Sequence, residues 1–350
     1  MTMSDDLGPL AERVPEVLRA ATAYHVPQPP QLRAKLDANE MPYPLPAELR
    51  ARLGAVLAEV ALERYPDPRA RELRACVSRT LSVAEDQLVF GNGSDELISI
   101  LMSAFPGPVL YPTPSFVYYR LSAIARGLPV VEVPLGAKFE LDEPAVLRAV
   151  AEQKPSIIFL ALPNNPTGTL WRMDFALELA AAHRDTVIVS DEAYFAYCGR
   201  TNLPRLAEHP NLVIMRTLSK VGLAGLRVGF TITSRAIAQL LEKLRPPYNV
   251  SSLDQRAAVF LVEEAAAWRG ERVAEVKAER ARLARELAAY GEVFASEANL
   301  LLVKFARAGV ADALAERGIS VRAFPFGTRI TVGTPAENAL LLAALAQCAG

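Results

Sequence analysis

Lys220 ends the cluster TLSK at 217–220, at the close of the run NLVIMRTLS. A lysine carried out of a buried strand into a crevice loses hydration, which lowers its pKa and frees the amine as a nucleophile. A solvated surface lysine gains neither property. Asp191 stands in the same relation to the run TVIVS and opens DEAY at 191–194. A carboxylate at a buried strand end needs a partner, because an unpaired buried charge is expensive. A protonated ring nitrogen would serve, and so would a structural ion pair or a helix N-terminus. Tyr194 follows within one turn. It can act in the same site, or pack in the core with its hydroxyl satisfied.

Two further clusters close apolar runs. GNGSDE at 91–96 joins glycines to what reads as a helix start. Glycines let the backbone approach an anion, and a helix N-terminus offers unpaired N–H groups and a positive dipole end. Gly93 and Ser94 can cradle a phosphate there; a plain turn with Ser94 as N-cap is the simpler alternative. In NNPTG at 164–168, the proline pushes Asn165 out of the helical region. Its side chain can donate to an aromatic oxygen, or the segment is an ordinary turn. Arg227, in GLAGLRVGF, carries a planar fork that grips a phosphate bidentately or pairs with a surface carboxylate.

These clusters need a scaffold. From Leu88 to about Thr233 the runs QLVF, PVLYP, VVEVPL, SIIFLALP, TVIVSDE, NLVIMRTLS and RVGFTIT alternate with helical stretches. Continuous apolar runs of this kind are strands covered on both faces, and their alternation with helices predicts a doubly wound α/β domain. Ligands in such sheets bind outside the carboxyl ends of the strands, so four polar clusters at four strand ends point to one crevice. The first 45 or so residues, with VPQPPQ and MPYPLP, read as an extended arm. A helix follows through PAELRARLGAVLAEVALER. A long helical stretch, with a break expected at Gly270, runs from about Leu253 to Tyr290. NLLLVKF and TRITVG, with helices around them, predict a smaller α+β domain. The boundaries are placed at 1–45 for the arm, 46–248 for the large domain and 249–350 for the small one.

Bulk properties narrow the functional classes. Lys+Arg (38) and Asp+Glu (39) nearly cancel over 350 residues, and no basic stretch marks a nucleic-acid or anionic-membrane surface. Cys76, Cys198 and Cys348 are too sparse for a disulfide framework, which fits a reducing cytoplasm. His25, His183 and His209 form no metal-ligand pattern. The start reads as neither a signal peptide nor a membrane span.

The ordered set GNGSDE, NNPTG, DEAY, TLSK and GLRVGF resembles the fold-type I pyridoxal-phosphate enzymes. LDANE at 36–40, RYPDP at 64–68 and GTRITVGT near the end make it similar to the histidinol-phosphate aminotransferases within them. The likeness covers nearly the whole chain, and every assignment that follows is implied by it. The fold would be a large domain with a mostly parallel seven-stranded sheet plus a smaller α+β domain. Lys220 would be the Schiff-base lysine and carry the proton between Cα and C4′. Asp191 would pair with the pyridine nitrogen. Tyr194 and Asn165 would bond the ring oxygen, and Phe116, in PSFVYY, would stack on the ring. Gly93, Ser94, Ser219 and Arg227 would hold the phosphate, joined by Tyr65 from a neighbouring subunit. Arg329 would bind the substrate's anionic group, with Arg322, Tyr24 and Asn39 as further substrate contacts. The loop KVGLAGLR is one residue shorter than the usual family segment.

The resemblance implies a cytoplasmic homodimer that exchanges an amino group between L-histidinol phosphate and glutamate/2-oxoglutarate. The same scaffold would also suit an aromatic aminotransferase or a threonine-phosphate decarboxylase. A cofactor-binding module of a transcription regulator would require an attached DNA-binding domain, for which no basic helix pair is present. A dinucleotide enzyme would require GxGxxG after the first strand, which GNGSDE does not match.

Overall fold

All seven apolar runs of the central region form strands in a computed structural model that describes residues 8–14, 16–19, 29 and 31–349. A two-residue strand, β1 (Ala34–Lys35), precedes them. They are β2 (Leu88–Asn92), β3 (Val109–Thr113), β4 (Val130–Pro134), β5 (Ile157–Ala161), β6 (Val187–Asp191), β7 (Leu212–Thr217) and β8 (Val228–Thr233). Their order across the sheet is β2-β8-β7-β6-β5-β3-β4. Pairing is parallel except around β8, which runs antiparallel to both β2 and β7.

Side-chain alternation explains why the runs are continuous. Ile157, Phe159, Val187 and Val189 enter one core, while Ile158, Leu160 and Ile188 enter another on the opposite face. The first core is covered by helices α3 (Gly93–Ala104), α4 (Val117–Ala125) and α5 (Arg235–Leu244). The second is covered by α2 (Arg71–Leu81) and α6 (Ser252–Glu263), with α1 (Ala47–Ala58) packed against α6. Edge strand β4 keeps only Val133 buried.

Beyond the large sheet come β9 (Gly291–Val293), β10 (Leu300–Phe305), β11 (Ile319–Ser320), β12 (Arg322–Phe324) and β13 (Gly327–Thr331). An antiparallel sheet of order β12-β13-β10-β9 packs a third core around Leu283, Leu287, Leu301, Val303 and Ile330. β1 pairs in parallel with β11, and Leu36 continues onto Ser320 and Thr331 through backbone bonds of 2.8 Å each. The segment 34–40 is thereby laid between the small sheet and the strand ends of the large one.

Two expectations change. The helical stretch divides at Glu264–Ala265 into α6 and α7 (Ala266–Leu287), and Gly270 lies inside α7. An interior glycine costs only about 1 kcal/mol, which a helix packed through Val273, Val276, Leu283 and Leu287 absorbs. The arm is not wholly extended: Gly8–Arg13 is a 3-10 helix and Glu16–Arg19 one helical turn. Pro9 sits in the first turn, where a missing N–H breaks no helical bond. MPYPLP forms neither helix nor strand up to α1. No helix among the described residues is long and apolar enough to cross a membrane.

Candidate active site

Strand ends β5, β6 and β7 open into one cleft whose lining includes Asn165, Asp191, Tyr194, Ser219 and Lys220. Ser94 from the start of α3, Phe116 just before α4, and Arg227 just before β8 also line it. The clusters that are far apart in sequence therefore meet, as their strand-end placement requires.

Asp191 is the last residue of β6 and is 5% exposed. Tyr119 donates its hydroxyl to Oδ2 at 2.6 Å, and the Ala193 backbone N–H donates to Oδ1 at 3.1 Å. Burial pushes the carboxyl up to about 6, and the two donors oppose that rise. Among the described residues no cation stands within ion-pair distance of it. A buried carboxylate so placed can take a cationic N–H from a ligand in the cleft.

Lys220 follows β7 and is held at its backbone, where the Tyr197 hydroxyl donates to its carbonyl at 2.6 Å. Its Nζ reaches the Ala38 carbonyl at 3.4 Å. Desolvation lowers its pKa from 10.5 to about 8, with the nearby charges of Arg329 and Arg227 adding to the effect. A lysine so placed supplies a neutral amine at accessible pH.

The other polar end is built by a close approach of backbones. A Cβ on Gly229 of β8 would lie 2.8 Å from the Gly93 carbonyl carbon and 2.9 Å from the Ser94 nitrogen. A Cβ on Gly93, whose φ is +74°, would lie 2.6 Å from an Arg227 guanidinium nitrogen. Glycine at both positions leaves a cradle under the first turn of α3. Helix α3 begins at Gly93 with Asn92 before it, so Ser94 is inside the first turn and is not its cap. Arg227 donates to Ser219 Oγ at 3.2 Å and to Asp95 Oδ2 at 3.1 Å. The Arg227–Asp95 pair is about two-fifths exposed on each side and binds weakly, so a dianion can take the guanidinium. The short loop accommodates this by placing Leu223 and Arg227 in the left-handed region, at φ of +49° and +51°.

Asn39 and Arg329 stand behind the cleft walls. Asn39 is buried; it donates to the Tyr194 hydroxyl at 2.8 Å, and its own N–H is held by Thr331 Oγ1 at 2.9 Å. Burial raises the Tyr194 hydroxyl to about 12, so it stays protonated and can donate. Arg329 donates to Asn165 Oδ1 at 2.7 Å and to the Asp37 carbonyl. With its oxygen engaged, Asn165 has its amide hydrogens to offer. Arg322 pairs directly with Arg329 in the β12–β13 ladder, which puts both side chains on one face of the small sheet. Tyr65 does not approach its own chain's cleft: it is 80% exposed and stacks on Tyr248 at 4.6 Å. Tyr24 lies outside the described residues.

Four residues at the site were not anticipated: Tyr119, Asp95, Thr217 and Tyr197. Thr217 and Asp95 fall inside the quoted clusters TLSK and GNGSDE, so position alone flagged them. Tyr119 stands in PSFVYY one helical turn after Phe116, and only the folded chain brings it to Asp191.

The donor set fits a phosphorylated pyridinium. The buried carboxylate lacks a cation, the glycine cradle adjoins a guanidinium, and a desolvated amine and two potential hydroxyl and amide donors line the same cleft.

Residues 34–345 match the family aminotransferase class I and II. The chain is 45% identical over 340 residues to histidinol-phosphate aminotransferase 1 of Burkholderia lata, covering 93% of this chain and 95% of that one. Among solved structures, histidinol-phosphate aminotransferase from Sinorhizobium meliloti in complex with pyridoxal-5'-phosphate aligns with a TM-score of 0.86 at 24% identity, over 96% and 97% of the two chains. L-threonine-O-3-phosphate decarboxylase from Porphyromonas gingivalis aligns at 0.78 and 22% identity, over 90% and 99%. The two structural likenesses establish the shared fold and do not separate the two activities.

Proposed function

The chain belongs to the aminotransferase class I and II family, and we propose that it moves an amino group between L-histidinol phosphate and 2-oxoglutarate by a ping-pong exchange. The observation that carries this reading is the 45% identity to a histidinol-phosphate aminotransferase along 93% of the chain. In this reading the protein works as a cytoplasmic homodimer, with a large domain at 46–248, a small one at 249–350 and an arm at 1–45.

Pyridoxal phosphate, the cofactor of the family, supplies when bound a carbonyl that accepts an amine and a cationic ring that withdraws electrons. The chain's residues do the rest. Asp191 holds the proton on the ring nitrogen, and Tyr119 and the Ala193 N–H hold Asp191. Lys220 would hold the cofactor through Nζ, and as a free amine it would carry the proton of the substrate's Cα. Its lowered pKa leaves the amine neutral for part of the time near pH 8. Tyr194 and Asn165 donate to the ring oxygen, each braced from behind by Asn39 or Arg329. Phe116 covers one ring face. Gly93, Ser94, Ser219 and Arg227 hold the phosphate, with Tyr65 of a second copy.

Arg329 takes the anionic group of either substrate, the phosphate in one half-reaction and the carboxylate in the other. Arg322, opposite it in the ladder, adds a second fork on the same face.

The test is a comparison of amino donors with 2-oxoglutarate as acceptor. Removing the phosphate removes charge-assisted bonds worth roughly 1.5–3 kcal/mol each, so histidinol is expected to fall at least about tenfold below histidinol phosphate in kcat/KM. Equal turnover of histidinol or phenylalanine would transfer the reading to an aromatic aminotransferase. Release of carbon dioxide from threonine phosphate would transfer it to a decarboxylase.

A further inference from the structure

A second cavity, of about 160 Å³, lies behind the cleft on the other side of strands β6 and β7. Alternation along the chain builds it: Asp191 lines the cleft, while its neighbour Glu192 lines the cavity together with Arg216. Most of its wall is apolar, from Val77 and Leu81 of α2, Val221, Phe230 of β8 and Val262 of α6.

Two arginines reach this space. Arg216 is fully engaged: it bonds Glu192 at 2.9 Å and Thr201 at 2.8 Å, and its guanidinium lies 3.8 Å from the centre of the Phe195 ring. Glu192 is likewise satisfied by Thr201 and by the Asn202 backbone N–H. Arg269 has no such partner. Among the described residues no carboxylate pairs with its guanidinium and no acceptor bonds it, and burial lowers its pKa. It stands in the first turn of α7, which contains no acidic residue, at the helix end whose dipole favours a negative charge. Counting Glu192, Arg216 and Arg269, the cavity carries one positive charge in excess.

An unpaired guanidinium facing an apolar space is costly. The cavity is open on one side, so water reaches its mouth, but the apolar walls offer such water few partners. A phosphate dianion would lack donors for most of its oxygens. We propose that the cavity is a binding site for a short unbranched monocarboxylate, with the carboxylate on Arg269 and the chain against Val77, Val262 and Phe230. The site is separate from the substrate's anion site, and a ligand there would touch Ala193, which borders both spaces and holds Asp191.

Calorimetric titration of the holoenzyme, kept in saturating 2-oxoglutarate so that the active-site anion positions are filled, tests this with sodium pentanoate and 1-pentanol as probes. Pentanoate is expected to bind, and pentanol at least tenfold more weakly, as loss of a charge-assisted bond requires. Arg269→Met should weaken pentanoate at least tenfold while leaving kcat unchanged. Val262→Trp, which fills the cavity and keeps the arginine, should weaken it as well, and it decides the matter if Arg269→Met does not fold. No heat from pentanoate at millimolar concentration would overturn the proposal. Pentanol binding as tightly as pentanoate would reduce the cavity to an apolar hole, and unchanged pentanoate affinity in both variants would place the binding elsewhere.

Discussion

Lys220 and Asp191 titrate in opposite directions from their usual ranges, and both shifts have the same first cause. Burial favours the neutral amine and the neutral carboxyl alike. Cofactor capture by the apoenzyme needs the neutral amine of Lys220. The rate of reconstitution should therefore climb with pH and level off above about 8, where an ordinary lysine would keep climbing toward 10.5. Capture also needs the charged form of Asp191, so affinity should fall as pH drops through about 6. Tyr119→Phe removes a donor that stabilises the carboxylate, and the acid limb of the profile should move to higher pH. A stopped-flow profile of pyridoxal phosphate binding in both proteins checks all three statements. A rate still rising at pH 10, or an acid limb unmoved by the variant, would contradict them. Tyr119 was not legible in the sequence for a simple reason: it follows no strand. Lys220, Asp191 and Asn165 could be read because each stands where an apolar run stops, and that position carries information about burial.

The elements that place these groups were legible in proportion to how much apolar surface they bury. Six of the seven strands of the large sheet are buried along nearly their whole length, so each reads as a continuous run, while edge strand β4 keeps only Val133 buried. β9 and β12 have three residues each, too few for any period to register. The division at Glu264–Ala265 has no glycine or proline to announce it; α6 packs on α1, α2 and β8, whereas α7 packs on β9 and β10 of the small sheet. One glycine does carry a measurable consequence. Gly229→Ala would drive a methyl group into the Gly93 carbonyl and the Ser94 nitrogen, both backbone atoms that cannot swing aside. Overpacking of this kind costs about 1–3 kcal/mol. The first turn of α3 must then move, so both the melting temperature and the affinity for pyridoxal phosphate should fall. A variant that keeps both would show that the cradle is looser than its geometry indicates.

At the scale of the molecule, three parts of the chain meet at the proposed reacting centre. The large sheet carries Asp191, Lys220 and Asn165, the small sheet carries Arg329, and the segment 36–40 carries Asn39 between them. Asn39 bonds Tyr194 of one sheet's strand ends and Thr331 of the other sheet, so the two are tied through a buried amide. Tyr65 remains outside this arrangement, exposed and stacked on Tyr248, and its proposed role requires a second copy. Mixing a Lys220→Ala chain with a Tyr65→Ala chain, each crippled alone, should restore part of the activity if the two chains share their sites. Full activity in a monomer by sedimentation would contradict the shared site.

The most direct test of the central assignment is chemical. The holoenzyme should be yellow, and reduction with borohydride followed by proteolysis should leave the cofactor covalently fixed to one peptide. The expected peptide contains Lys220, the lysine whose amine lines the cleft beside Asp191 and Arg227. The chain has six other lysines, none of which lines that cleft, and a cofactor found on any of them would contradict the account.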